Sequence, residues 1–348
     1  MKKRVVACIL AVACIASLNG CGSKFNGQDT VVEVGDEKVT ADVANFFARY
    51  QQAQFETTYS SYLGDDFWGK EVTDGKTYEE NYKDSIMDSL EEMYILDEHK
   101  DDYKVSLSDD EEKSIEDAAK KFTDSNDSAA KDAVSGDEKT VKKVLELLTL
   151  QKKMETAMTA DVDTNVSDEE AAQRTFSYMK ISLTTYTDES GKQQTYSADE
   201  TTVVKKNADD AAQKAQSDFD GTAQEYSYDV KTYSYGSDEK SEADGGFCDA
   251  VIAAANSMTA GQVSGLIEGA DCYYIIRLDS EFDADATEKK KESIISDRQD
   301  QLYQDVTDGY KDAVKIKVDE DEWAKVKFDN IFTAPSAADN SDSSATAE

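Results

Sequence analysis

Ala243-Asp-Gly-Gly-Phe247, a short alanine-rich run, Met258-Thr-Ala-Gly-Gln-Val-Ser264 and Cys272-Tyr-Tyr-Ile-Ile-Arg-Leu278 follow one another in a single stretch. The glycine pair and Gly261 mark two turns, because glycine enters left-handed backbone conformations at no side-chain cost. The apolar run from Cys272 to Leu278 predicts a closing strand. Upstream, Phe176 to Leu183 alternates well enough for an opening strand, and Tyr186 to Thr202 reads as a long polar connection. Asn207 is expected to cap a helix running to about Phe219. Tyr226, Tyr228, Tyr233 and Tyr235 crowd the segment between Gly221 and Ser237. Ser167-Asp-Glu-Glu170 has the spacing of a capping box and is expected to open a short helix into this region.

The flanks read differently. Val31 to Val34, Gly35-Asp36 and Lys38 to Thr40 predict a small hairpin. A helix follows from about Ala41, with Val43, Phe46, Phe47 and Tyr50 at helical spacing. The next, about Tyr78 to Lys100, carries Tyr78, Tyr82, Ile86, Leu90 and Met93 on one face. Ser108-Asp-Asp-Glu111 is a second capping box, opening a helix to about Phe122. Thr123 to Gly136 is expected to be a loop or weak helix. Val141, Val144, Leu145, Leu148, Met154 and Met158 then mark a long amphipathic helix. Such a stripe is either core or a binding face, since methionine-rich surfaces serve promiscuous binders. Beyond the closing strand a helix is expected from about Thr287 to Tyr310. Val314 to Val318 alternates strictly, as a half-buried strand does, and is expected to return beside the Val31 strand. Phe332 is the last position expected to be structured, and Thr333 to Glu348, rich in Ser, Ala and Asp, is expected to be disordered.

Composition limits the functions open to this chain of 348 residues. Hydrophobic residues make up 39% and charged residues 32%, with a formal net charge of -36. That balance argues against nucleic acid as a partner, because phosphate binding needs clustered Lys and Arg. It also argues against charge-driven attachment to an anionic membrane. Pro335 is the sole proline, so helices can run long. His99, the sole histidine, has no metal-binding constellation around it in the sequence, and neither a metal nor another cofactor is expected.

The first twenty residues read as an export signal. Lys2, Lys3 and Arg4 precede a continuous apolar run from Val5 to Ala16. A bilayer-spanning helix needs roughly 17–25 residues, so this run suits a signal's apolar core better. It ends in Leu18-Asn19-Gly20-Cys21-Gly22-Ser23, which resembles a bacterial lipobox; the resemblance implies a diacylglyceryl group on the Cys21 thiol. Cleavage before Cys21 would remove Cys8 and Cys14. Cys248 and Cys272 then remain, either bonded to each other or as two small buried side chains.

Two of the quoted turns and the closing strand resemble a peptidyl-prolyl isomerase domain of the parvulin, or PpiC, type, over about Gln173 to Ser280. Gly245-Gly246-Phe247 matches the family's glycine turn without its Asp-Leu, and Gly261-Gln262-Val263-Ser264 matches the later turn. Tyr273-Tyr274-Ile275-Ile276-Arg277 matches the closing strand, with Tyr274 where the family has a histidine. In the opening strand Lys180 takes the place of the other histidine, and counting back from Gly246 puts the family's Cys or Asp position on Glu239, or on Asp238 if the register slips by one. The segment between Gly246 and Met258 is shorter than the family's, which usually supplies apolar side chains to the proline pocket. Lys180, Tyr274 and Glu239 or Asp238 therefore admit two readings: a hydrogen-bonded replacement network, or a structural ion pair with an aromatic on a partly exposed face.

The opening hairpin and helix, with Gly64-Asp-Asp-Phe-Trp68, resemble the SurA and PrsA family of extracytoplasmic chaperones. That resemblance implies an α+β fold: a discontinuous, mainly helical chaperone domain, with an inserted parvulin-like domain built on a four-stranded antiparallel sheet with flanking helices. The expected order is a signal peptide over 1–20, a tether over 21–30 and an N-terminal chaperone domain over 31–165. The parvulin-like domain over 166–282 follows, then a helix and strand over 283–332 that complete the chaperone domain, and the tail over 333–348. The resemblance further implies a lipoprotein anchored outside the cytoplasm that assists the folding of secreted polypeptides, with a degenerate isomerase site. A holdase or assembly factor for one surface partner, without catalysis, is the alternative.

Overall fold

A computed structural model describes residues 26–59, 64, 66–72 and 75–328. The expected signal peptide, Cys21, most of the tether, Phe332 and the tail over 333–348 lie outside the described residues. The first part of the chain forms β1 (Thr30–Val34), β2 (Glu37–Thr40), α1 (Ala41–Tyr59), α2 (Tyr78–His99), α3 (Asp109–Ser125), α4 (Ser128–Val134) and α5 (Glu138–Met158). The middle forms α6 (Asp168–Ala171), β3 (Arg174–Ser182), β4 (Thr185–Thr187), β5 (Gln193–Thr195), α7 (Ala198–Ala215), α8 (Phe219–Tyr226), β6 (Val230–Tyr235), α9 (Asp249–Ser257), β7 (Ile267–Glu268) and β8 (Cys272–Ser280). The last part forms α10 (Ala284–Ala313), β9 (Ile316–Val318) and α11 (Glu320–Trp323). The chain is α+β, as its sequence predicts.

The described residues divide into two compact units, residues 26–161 with 300–328 and residues 162–299. In the first, β9 pairs antiparallel with β1 (Val32 opposite Val318), and the sheet order is β2-β1-β9. Helices α1, α2, α3 and α5 bury Phe46, Phe47, Ile86, Leu90, Met93, Ile115, Val144 and Leu147 in one core with Val31 and Val32. Leu96, Leu150, Met154 and Met158 form a second cluster, against which Tyr303, Val306 and Tyr310 of α10 pack. The methionine stripe of α5 is therefore core. Ser108 and Glu111 cap α3 reciprocally, as expected, and Thr77 with Glu80 does the same for α2. Between Thr123 and Gly136 the chain forms α4, which opens on the Asp127 carboxylate and closes at Ser135 in the left-handed conformation.

The second unit is a four-stranded antiparallel sheet of order β6-β3-β8-β7, covered on both faces. On one face Met179, Ile181 and Ile275 pack under Ala208, Ala211, Ala215 and Phe219 of α7 and α8. On the other, Phe176, Tyr274, Ile276 and Leu278 pack under Val251 and Ala255 of α9. Three local expectations are corrected here. Asn207 is not a cap: it is exposed within α7, which starts ten residues earlier in a capping box formed by Ser197 and Glu200. The polar connection holds a hairpin, β4 with β5, closed at Gly191 and held by the Asp188 carboxylate, which accepts from the Ser190 and Lys192 amides. Ser167 does cap α6, accepting from the Glu170 amide, but the Glu170 carboxylate bonds Arg298 at 2.8 Å instead of returning to the cap.

Candidate functional site

The candidate site lies on the α9-facing side of the sheet. Directly opposed residues of an antiparallel pair share a face, and Phe176 faces Tyr233 on β6 and Leu278 on β8, while Tyr178 faces Ile276 and Lys180 faces Tyr274. Lys180 and Tyr274, the two positions expected to correspond to the family's histidines, are thus cross-strand partners. Tyr274 is buried and Lys180 exposed, with the Lys180 ammonium 5.8 Å from the centre of the Tyr274 ring.

The loop between β6 and α9 folds over this face, and its glycine pair explains how. Gly245 has φ +87°, the left-handed region that favours glycine. Gly246 is needed for a different reason: a Cβ there would stand 1.8 Å from the Lys240 carbonyl oxygen. The Gly246 amide donates to the Ser241 carbonyl at 2.9 Å, closing the turn. Phe247 then lands in an aromatic bed, its ring centre 4.5 Å from Tyr233, 5.1 Å from Tyr178, 5.4 Å from Phe176 and 5.6 Å from Tyr274. Aromatic rings at such distances attract beyond their area burial.

Glu239 fastens the loop. One of its carboxylate oxygens accepts from the Tyr233 hydroxyl at 2.9 Å and from the Phe247 amide at 3.0 Å. Burial, and then the Glu239 carboxylate, pushes the Tyr233 phenol up to about 12. Tyr274 is also raised, first by burial and then by the neighbouring Cys272 and Cys248. Asp238 points to other chemistry. It pairs with Lys290 of α10 at 2.6 Å, and that ammonium lowers its carboxyl below the usual range. Glu239, not its neighbour, therefore belongs to the aromatic bed. Cys248 and Cys272, weighed above as a disulfide, are both free and buried in the same apolar cluster.

The later turn extends the edge of the sheet. Gly261, at φ +83°, donates to the Leu278 carbonyl at 2.7 Å, and the Ser264 amide donates to Ile276 at 2.8 Å. The Ser264 hydroxyl accepts from the Ile276 amide at 3.0 Å, so one residue serves both backbone groups of its partner. Arg174 completes the frame by donating to the Ala255 and Met258 carbonyls at 3.1 and 2.9 Å, satisfying the open end of α9.

Sequence reasoning named Lys180, Tyr274 and Glu239 but not Phe247, Tyr178 or Tyr233 as parts of one surface. The signal for Tyr233 was its two-residue spacing from Tyr235, which puts both on one face of a strand. Phe247 had no signal beyond its place after the glycines. Among the described residues, no group of three or more His, Cys, Asp or Glu side chains is placed to hold a metal ion. The bed offers ring faces and phenol hydroxyls, which suit an apolar or cyclic side chain, with the Lys180 ammonium near the Tyr274 ring.

Residues 168–289 match the family model described as the PPIC-type PPIASE domain. The resemblance drawn from the two glycine turns and the closing strand falls within these residues and is borne out. Solved structures that resemble the chain include the foldase protein PrsA from Streptococcus pneumoniae str. Canada MDR_19A, at 20% identity over 75% of this chain and 97% of that one, with a TM-score of 0.31. Foldase protein PrsA from Lactococcus lactis matches at 15% identity over 86% and 97%, with a TM-score of 0.33. PrsA from Bacillus subtilis matches at 17% over 75% and 98%, with a TM-score of 0.24. No curated protein matches the chain.

Proposed function

We propose that the chain is an extracytoplasmic, membrane-anchored foldase that holds unfolded exported polypeptides, and that its PPIC-type domain binds them with little or no isomerase activity. The family match over 168–289 supports the polypeptide-binding class. The observation that carries the loss of catalysis is the fate of the site positions. Lys180 and Tyr274 stand opposite each other, Tyr274 is buried beside Phe247, and the Glu239 carboxylate is committed to its own loop. Rotation about a prolyl amide must be speeded by binding its twisted form better than its planar one. A bed filled by the protein's own Phe247 leaves ring faces for contact and supports no proton network around a twisted amide. The anchor rests on the lipobox-like sequence ending in Cys21.

One pair of assays on the mature chain tests this: cis-to-trans isomerisation of an Xaa-Pro peptide, and suppression of aggregation of a denatured polypeptide. Suppression with an isomerisation rate near the uncatalysed one is the expected result. Strong acceleration would overturn the non-catalytic reading and leave the foldase. Failure of both would remove the foldase.

A further inference from the structure

A second aromatic cradle lies in the first unit and is already occupied. Phe55, Trp68 and Tyr82 form a connected group, with ring centres 5.1 to 5.5 Å apart. Phe328 enters it from the far end of the sequence, 4.9 Å from Trp68 and 6.2 Å from Tyr82. The floor is fixed by a buried ladder on α1. The Trp68 indole donates to Glu56 at 2.7 Å, Gln52 donates to the same carboxylate oxygen at 2.7 Å, and Arg49 donates to Gln52 at 2.7 Å.

Two buried cations grip the visiting segment through its main chain. Lys83 donates to the Trp323 carbonyl at 3.0 Å and the Val326 carbonyl at 2.7 Å, and Arg49 donates to the Lys327 carbonyl. Residues 326–328 belong to no helix or strand, so no ladder holds them. A buried charge is costly unless fully hydrogen-bonded, and burial lowers the Lys83 ammonium to about 8. An apolar pair would cement a permanent core contact without that cost. Cations aimed at carbonyls instead recognise any extended backbone, whatever its side chains, while the cradle asks for one aromatic ring.

We propose that Val326–Phe328 occupies in cis a client-binding cleft formed by Arg49, Lys83, Trp68 and Tyr82, and that an extended polypeptide segment carrying an aromatic side chain displaces it. The proposal rests on the foldase reading above and names the chemistry of its client. Release breaks two side-chain-to-carbonyl contacts, Lys83 to Val326 and Arg49 to Lys327, and the packing of Val326 and Phe328 into the first unit's core, with no strand to unzip. The segment also lowers apparent client affinity by the fraction of time it fills the cleft.

Hydrogen exchange on the full mature chain, with and without a saturating reduced and carboxymethylated polypeptide, tests it directly. Exchange over residues 323–328 is expected to rise as the client enters. In parallel, the Phe328→Ala chain is expected to bind that client, and a fluorescein-labelled peptide with the sequence of residues 322–332, about tenfold more tightly than the unaltered chain. Client binding with unchanged exchange at 323–328 overturns the proposal and leaves the foldase intact. A Phe328→Ala chain that keeps its near-ultraviolet circular dichroism but binds neither probe more tightly also overturns it. Absence of client binding by either chain counts against the foldase itself, and the labelled segment then reports separately on whether the cleft takes a peptide from solution. Should Phe328→Ala fail to fold, the exchange measurement on the unaltered chain decides alone.

Discussion

Glu239 accepts from two groups in different parts of the chain, the Tyr233 hydroxyl on β6 and the Phe247 amide past the glycine turn. Hydrogen bonds to an ionised group contribute about 1.5–3 kcal/mol. Glu239→Ala is therefore expected to lower unfolding free energy by about 2 kcal/mol, read from urea denaturation, while Glu239→Gln, which keeps an acceptor oxygen, loses less. Burial of Tyr233, together with the same contact, makes stability depend on pH. Because the folded protein holds the Tyr233 phenol up to about 12, the folded state binds its proton more tightly than the unfolded state does. The stabilisation is complete below the ordinary phenol value of about 10 and is lost as pH rises through about 12. Tyr233→Phe is expected to flatten that part of the stability curve, measured by denaturation between pH 9 and 12. Sequence named Glu239 by its distance from Gly246, but only the fold separates it from Asp238. That neighbour is drawn to Lys290, far along the chain on α10.

Among the elements, α7 was the least legible. Its buried face is Ala208, Ala211, Ala212 and Ala215, and alanine gives too weak a contrast with its polar neighbours for helical periodicity to stand out. Small residues there let the helix lie close on Met179 and Ile275. Ala211→Leu is expected to cost about 1–3 kcal/mol by overpacking, and Ser197→Ala about 1 kcal/mol through loss of the cap. Thermal denaturation followed by far-ultraviolet circular dichroism measures both. By contrast β8, α2 and α5 could be read directly, because their apolar side chains are large and their spacing regular. The β4–β5 hairpin could not, because its six strand residues are Thr, Tyr and Gln and its turn depends on the Asp188 carboxylate.

At the scale of the molecule, the second unit contains its own two-sided core, whereas the first needs β9, Trp323 and the end of α10, which come after the second unit in the sequence. Residues 162–299 expressed alone are expected to fold cooperatively, and residues 26–161 alone are expected not to, as judged by near-ultraviolet circular dichroism and dispersion of amide resonances. In cells, Cys21→Ala is expected to move the protein from the membrane fraction to the soluble one, measured by fractionation. The sequence by itself determined the turns, the long amphipathic elements and that the one histidine, His99, lies far from the quoted stretch, because glycine conformation, hydrophobic period and residue identity are local properties. Only the tertiary structure decided that Phe247 fills the aromatic bed, that Glu239 is held by its own loop, and that Phe328 sits against Trp68. Each of these joins residues separated along the chain, and what brings them together is the burial of whole faces, which no local pattern records.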